Sequence, residues 1–288
     1  MASKPTRPEP GQPDVEVIPA SMIAGAEPDL DARDPEMIRS VLPMFWMIAT
    51  MYFRAEVRGL ERVPEGPVLL VANHSGGTMS PDSIVTILSW NGYFAERPLY
   101  LLAHNMVTGV PLLGALAKKF GVLTAGLESA TLAFARGASV LVYPGGDREV
   151  YRPWSKRHRI DFDGRKGFLK LAHRENVPIV PVVADGGHET IMVLSDGRKL
   201  AKLLRFDRIA RVKVLPVSLA LPFGLSIGGF PPHVPLPTKL RVEYLDPIDL
   251  RALFGDEPDW DVAYDYVTSK MQVALSTHAA RRTLGPVR

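Results

Sequence analysis

His74 follows directly after the apolar run Val68-Leu69-Leu70-Val71-Ala72 and sits within Asn73-His74-Ser75-Gly76-Gly77. A run of that composition reads as a buried strand, and open α/β sheets present their ligands at the carboxyl ends of strands. A neutral imidazole at such an edge is suited to general-base chemistry. Gly76 and Gly77 allow a backbone to approach a ligand closely and expose N–H groups to an anion or an oxyanion. Asn73, Ser75, Gly76 and Gly77 are therefore expected to contact substrate around His74. Ser80-Pro81-Asp82 reads as a helix start, with proline at the first helical position and an acid in the first turn. Asp82 is the nearest carboxylate in sequence that could fix the imidazole tautomer and stabilise the imidazolium; its alternative reading is a helix-start acid only.

The design recurs at Val140-Leu141-Val142-Tyr143-Pro144-Gly145-Gly146-Asp147-Arg148-Glu149, an apolar strand opening into a glycine-bearing turn with a charged tip. Gly145, Gly146 and Arg148 join the substrate-binding candidates, because a guanidinium forks onto phosphate or carboxylate. The competing reading is a solvated turn. Arg165 and Lys166 add positive charge ahead of the next helix; Lys166 is a further candidate, with plain surface charge as its alternative.

These turns need a sheet behind them. Val68 to Ala72, Leu99 to Ala103, Ser139 to Tyr143 and Ile179 to Val183 read as strands. Pro81 to Trp90, Pro111 to Lys119, Glu128 to Arg136, Lys166 to Glu175 and Trp260 to Arg281 read as helices. That alternation predicts an α/β fold with a mostly parallel central sheet flanked by helices. Residues 1–34 are proline-rich and polar and are expected to form a flexible tail. Residues 35–54 are expected to form an apolar helix, and 55–288 the α/β domain. The run Val41 to Phe53 is shorter than the roughly 20 apolar residues a membrane span needs. Trp46, Tyr52, Arg39 and Arg54 suit a helix lying in a membrane interface, while a buried core helix is the other reading. Residues 216–237, apolar and rich in proline and glycine, read as an irregular segment that walls a tunnel, touches lipid or serves as a buried connector.

A formal charge of +3 favours anionic membranes or phosphate-bearing ligands, and without a long basic block no nucleic-acid partner is expected. The absence of cysteine excludes disulfides, a thiolate nucleophile and Cys-type zinc sites. The remaining histidines show no His-x-x-x-His spacing, so no metal is expected; His188, after Asp185-Gly186-Gly187, is the first to inspect. The N-terminus lacks the apolar core of a secretory signal, and the expected location is cytoplasmic, peripheral on the inner face of the membrane.

Taken in order, Asn73-His74 with Asp82, Tyr143-Pro144-Gly145-Gly146-Asp147-Arg148-Glu149 and Val177-Pro178-Ile179-Val180-Pro181-Val182 resemble the glycerolipid, lysophosphatidic-acid-acyltransferase-like family over about residues 55 to 250. In that family the aspartate stands five positions after the histidine, where this chain has Met79, and a glutamate stands where this chain has Gly145. The segment Gly121 to Leu127 also lacks the family's arginine. The wording is closer to the diacylglycerol- and monoacylglycerol-acyltransferase-like branch, which shifts the expected acceptor from a phosphate toward a neutral hydroxyl. The resemblance implies an O-acyltransferase of lipid metabolism, in glycerolipid or phospholipid biosynthesis. It further implies acyl-CoA or acyl carrier protein as donor, a lipid acceptor, a membrane surface as partner, and acyl-CoA as co-substrate with no other cofactor. His74 would deprotonate the acceptor hydroxyl, which attacks the thioester directly.

Two other classes compete. Gly224-Leu225-Ser226-Ile227-Gly228 matches the nucleophile-elbow pattern of α/β-hydrolases, with Asp261 and His278 in the right order. The elbow requires a helix straight after the serine, which Gly228-Gly229-Phe230-Pro231-Pro232 cannot start. The third possibility is a non-catalytic lipid-binding module whose glycines only cradle phosphate.

Overall fold

A computed structural model describes residues 28–104, 111–203, 215–229 and 233–283. In chain order the elements that matter are α1 (Pro35–Met51), β1 (Glu56–Arg58), β2 (Leu69–Ala72), α2 (Pro81–Tyr93), β3 (Leu99–Ala103), α3 (Pro111–Lys119), β4 (Val122–Thr124), α4 (Leu127–Ala135) and β5 (Ser139–Val142). They continue with α5 (Asp147–Val150), α6 (Gly167–Glu175), β6 (Ile179–Asp185), β7 (Met192–Ser195), α7 (Arg198–Leu203), β8 (Val217–Ala220), β9 (Gly224–Ile227), β10 (Arg241–Tyr244), α8 (Leu250–Phe254) and α9 (Trp260–Thr283).

The main sheet has seven strands in the order β1-β10-β6-β2-β5-β3-β4. From β6 to β4 every neighbour is parallel, whereas β10 runs antiparallel to β6 and carries β1 beside it. The predicted α/β architecture with a mostly parallel sheet is the one observed. Strand β2 is central and buried along its whole length, so it is apolar on both faces. Its pleat divides the core: Leu69 and Val71 face a cluster with Ala130 and Phe134 of α4, Leu169 of α6 and Val267 and Met271 of α9. Leu70 and Ala72 face the opposite cluster, with Ala49 of α1 and Val85 and Leu88 of α2. On α9 the buried residues Ala263, Val267, Met271 and Leu275 recur every fourth position, one stripe of the helix.

Chain order departs from spatial order where β5 enters between β2 and β3 and β6 joins the other side of β2. The carboxyl ends of β2, β5 and β6 therefore lie side by side at a topological switch point, where such sheets form ligand crevices.

Two expectations changed on folding, those for residues 28–34 and for the segment after Pro216. The tail was expected to be flexible to residue 34; residues 1–27 lie outside the described residues, but Leu30 is buried and Asp31 pairs with Arg136, so 28–34 are docked. Leu30 joins the core cluster of Leu69 and Val71, and the Tyr100 hydroxyl donates to its carbonyl at 2.9 Å. Helix α1 packs one face on the core through Leu42, Phe45 and Ala49, while Met44, Met47, Ile48 and Met51 are exposed. The segment after Pro216 is not irregular; β8 and β9 pair antiparallel in a second, three-stranded sheet with β7. Alternation of Leu219, Leu225 and Ile227 outward with Ser218, Ala220 and Ser226 inward fits a period of two. No helix among the described residues is long and apolar enough to cross a membrane.

Candidate active site

Strand β2 ends at Ala72, and the next residue locks its end in place. The Asn73 side-chain amide donates to the Ala184 carbonyl and accepts from the Ala184 N–H, both at 2.8 Å, which ties β2 to β6. Asn73 is 3% exposed, so both functions of its amide serve the scaffold. His74 comes next, with its ring partly open to solvent.

Asp82 is fully buried beneath that ring. Its Oδ2 lies 3.3 Å from His74 Nδ1 and accepts from the Ser75 N–H at 2.6 Å and the Ser75 hydroxyl at 3.1 Å, while Oδ1 accepts from the Ser83 N–H at 2.7 Å. These donors hold the carboxylate in one rotamer. With Nδ1–H directed at Asp82, the lone pair of His74 resides on Nε2, the tautomer a general base needs.

The chain places Asp82 here despite its late position. Between the histidine and the helix, Gly77–Met79 form a short 3-10 turn, and Gly76, Gly77 and Ser80 all adopt positive φ. The three additional residues are absorbed in that turn, and Asp82 enters from the first turn of α2. Ser80 does so without a capping side chain on the helix and in a left-handed conformation costly for a serine. Met79, at the position where the resembling family has its acid, is instead partly exposed on an apolar groove. A side chain on Gly76 would strike Pro81, and one on Gly77 would meet His233. Both glycines are thus required by the loop path itself.

From β5, Tyr143 stacks on His74 with ring centroids 4.2 Å apart and planes 26° from parallel. Burial, then the negative charge of Asp82, raises its phenol well above the ordinary value, so Tyr143 is a neutral wall. After Gly145 and Gly146 comes Glu149, wholly buried, where the sequence alone predicts part of a charged tip. Its Oε2 accepts from the His74 backbone N–H at 3.2 Å; its Oε1 accepts from Arg152 at 2.8 Å and from the Asp161 N–H at 3.3 Å. Desolvation raises the Glu149 pKa against the pull of Arg152. A Cβ on Gly145 would lie 2.2 Å from Glu149 Cγ. The glycine at 145 is the space the Glu149 side chain occupies, a relation between two neighbours in the same turn that only the fold reveals.

The expected cations take separate places. Arg148 pairs with Asp163, and Lys166 pairs with Asp261 at 2.5 Å, each about a quarter exposed. Arg165 donates to the Pro144 carbonyl at 2.9 Å and braces the turn. From β6, Gly187 packs on Ser75 with no room for a Cβ, and His188 is buried behind the site. Burial first, then Arg152 and His74, lowers the His188 pKa to about 3, so the ring is neutral. Neither His188 nitrogen has a hydrogen-bond partner among the described residues. His158, Asp185 and Glu189 bring potential ligand atoms within 4.8 Å of one another. Guanidinium groups already answer the two carboxylates, Arg282 on Asp185 at 3.0 Å and Arg157 on Glu189 at 3.3 Å.

The hydrolase constellation is not assembled. Ser226 lies inside β9, extended on both sides, instead of at a strand-to-helix elbow; Phe230 to Pro232 of that pattern lie outside the described residues. Asp261 is engaged by Lys166, and His278 Nε2 is 2.8 Å from Glu243.

Beside the His74 loop runs an apolar groove of about 290 Å3, walled by Phe45, Ile48 and Phe53 at α1, by Met79, Ile84 and Val85 around the start of α2, and by Val234 and Pro235. Tyr52 and Arg54 donate to the carbonyls of Pro235 and Pro237, joining α1 to the far wall.

Residues 54–185 match the sequence model of a family described as acyltransferase. An uncharacterised protein of Mycobacterium tuberculosis is 32% identical over 230 residues, 78% of this chain and 62% of that protein. A protein of Gallus gallus described as a DGAT1/2-independent enzyme synthesizing storage lipids is 28% identical over 182 residues, 62% of this chain and 53% of that one. This chain thus spans about three fifths or less of the length of these relatives. The crystal structure of the 1-acyl-sn-glycerophosphate acyltransferase from Thermotoga maritima superposes with a TM-score of 0.52 over 86% of this chain and 84% of that one, at 18% identity, a likeness of fold.

Proposed function

We propose, from the premise that this chain belongs through residues 54–185 to the acyltransferase family, that it moves a fatty acyl group from acyl-CoA or acyl carrier protein to a hydroxyl of a glycerolipid or another lipid alcohol. The observation that carries the proposal is the His74–Asp82 pair at the carboxyl end of the central strand, with Nδ1 3.3 Å from the carboxylate. In this reading Nε2 takes the proton of the acceptor hydroxyl as its oxygen attacks the thioester carbonyl. The C–S bond breaks as the tetrahedral intermediate collapses, and the imidazolium returns the proton to the departing thiolate. Asp82 stabilises the imidazolium between those steps, and no acyl-enzyme forms. General-base action supplies about 10² to 10⁴ in rate, and positioning both substrates beside the base supplies a further share.

The apolar groove beside Met79 and Pro81 suits an acyl chain, since its walls are almost wholly apolar. The exposed methionines of α1 and the outward Leu219, Phe223, Leu225 and Ile227 of the second sheet suit a membrane surface. We place the protein accordingly on the cytoplasmic side, peripheral on the inner face of the membrane, with no nucleic-acid partner and no cofactor beyond the acyl donor. The relatives' names point to two acceptor classes, storage-lipid precursors and acylglycerol phosphates. The absence of the family's glutamate at Gly145 favours the neutral class.

The test is a radiolabelled acyl-CoA assay against diacylglycerol, monoacylglycerol, lysophospholipid and glycerol phosphate. Transfer to at least one acceptor, lowered about 10²-fold or more by His74→Ala, is the expected result. Full transfer by the His74→Ala protein would remove the mechanism, and lipid binding without transfer in the wild type would leave a carrier.

A further inference from the structure

His74 meets two groups at one edge of its ring, at nearly the same distance. Nδ1 lies 3.3 Å from Asp82 Oδ2 and 3.4 Å from Ser83 Oγ. The two partners require opposite tautomers. A carboxylate oxygen accepts, so Asp82 requires Nδ1–H and leaves the lone pair on Nε2. A serine hydroxyl that donates to Nδ1 puts the ring hydrogen on Nε2, where it disables the base. Distance at that edge therefore does not decide which partner the ring serves. Direction does, because a ring nitrogen makes its hydrogen bond close to the plane of the ring.

That plane is set from β5. Tyr143, the residue directly after the last of that strand, lays its ring on the imidazole with centroids 4.2 Å apart and planes 26° from parallel. The second side-chain torsion of histidine is otherwise broad. With a ring against its face, the imidazole cannot turn about the Cβ–Cγ bond without driving an edge into the phenol. Tyr143 is itself held in place, since β5 is paired with β2 on one side and β3 on the other. Its hydroxyl is buried and has no hydrogen-bond partner among the described residues. A buried donor left in that state costs stability, so the oxygen is not the part of the side chain that the loop exploits.

We infer that Tyr143 is a positioning residue whose ring face holds the His74 imidazole in the plane that turns Nδ1 to Asp82 instead of Ser83, which keeps Nε2 free to take a proton. The inference rests on the acyl-transfer reading for the use made of that proton; the restraint on the ring stands on the stacking geometry and the two competing partners.

Tyr143→Leu removes the aromatic face, and Tyr143→Phe keeps it while removing the unpartnered hydroxyl. The first arm is a nitrogen-15 to proton correlation spectrum of the imidazoles in wild type and both variants. Among the seven histidines, His74 is identified by the signals missing from His74→Ala. Wild type and Tyr143→Phe are expected to show one His74 tautomer, with the hydrogen on Nδ1, and Tyr143→Leu to show both. The second arm is steady-state acyl transfer. Tyr143→Leu is expected to lower kcat about tenfold or more with KM unchanged, and Tyr143→Phe to keep the wild-type kcat. A single Nδ1–H tautomer in the leucine variant, or both tautomers in wild type, overturns the inference. So does a phenylalanine variant as slow as the leucine one, which would assign the role to the hydroxyl. Should Tyr143→Leu fail to fold, the wild-type spectrum and the phenylalanine variant decide by the same criteria. Tautomers as expected in a protein that transfers no acyl group leave the restraint standing and remove the acyltransferase reading instead.

Discussion

In the proposed mechanism the two ring nitrogens of His74 do different work, and Asp82, 3.3 Å from Nδ1, is what separates them. The carboxylate receives two N–H donors and a hydroxyl besides the imidazole, so it does not have to move when the ring becomes charged. Asp82→Asn should keep this packing but lose the charge and the preference for the Nδ1–H tautomer. The expected outcome is a fall in kcat of about 10²-fold or more with little change in KM, read from steady-state acyl transfer. Equal loss in both parameters would mean that Asp82 shapes the pocket and does not support the base. Glu149 belongs to the same scale. It holds the His74 N–H from a wholly buried position, and its carboxylate is in turn held by Arg152.

The turn after β5 and the helix α1 are where elements, more than single side chains, decide the behaviour. At Gly145 an added methyl group meets the Glu149 side chain at 2.2 Å, so Gly145→Ala must push that carboxylate off the His74 N–H. It should cost about 1–3 kcal/mol in chemical denaturation and lower kcat together with stability. Retention of both would mean that the turn opens freely. On α1 the exposed Met47 and Met51 contribute little to the fold, which surface substitutions alter by about 0.5 kcal/mol or less. Met47→Glu with Met51→Glu is accordingly expected to leave thermal unfolding unchanged while weakening sedimentation with vesicles containing anionic lipid. Unaltered vesicle binding would show that α1 is not the membrane-facing helix.

Proton binding by the folded molecule sets its acid stability. His188 takes up a proton near pH 6.5 when the chain is unfolded but resists until about pH 3 when folded. Between those values the unfolded state binds the additional proton, so stability falls as pH is lowered, by about 1.4 kcal/mol per pH unit for one such group. Glu149 acts in the opposite direction. Its raised value means the folded state protonates first, so its contribution grows as pH falls toward the ordinary carboxylate range. His188→Gln should flatten the acid limb of a denaturation midpoint measured from pH 7.5 down to 5; an unchanged slope would show that the ring is not neutral and buried in solution.

The order of apolar runs and turns was enough to specify a mostly parallel α/β sheet, because buried parallel strands must be apolar on both faces and helices must alternate with them. It was also enough to put His74 at a strand end, since Val68 to Ala72 leaves it nowhere else to go. What depended on the tertiary structure were relations across the sheet's switch point. Asp82 reaches His74 only because a 3-10 turn absorbs the intervening residues, and Glu149 fills the space at Gly145 only because α5 turns back on the loop. Arg198, fifty residues beyond Arg148, lines one small cavity with it because β6 and β7 return the chain there. Spacing along the chain encodes local geometry, whereas contacts between the ends of β2, β5 and β6 are set by strand order, which hydropathy does not encode.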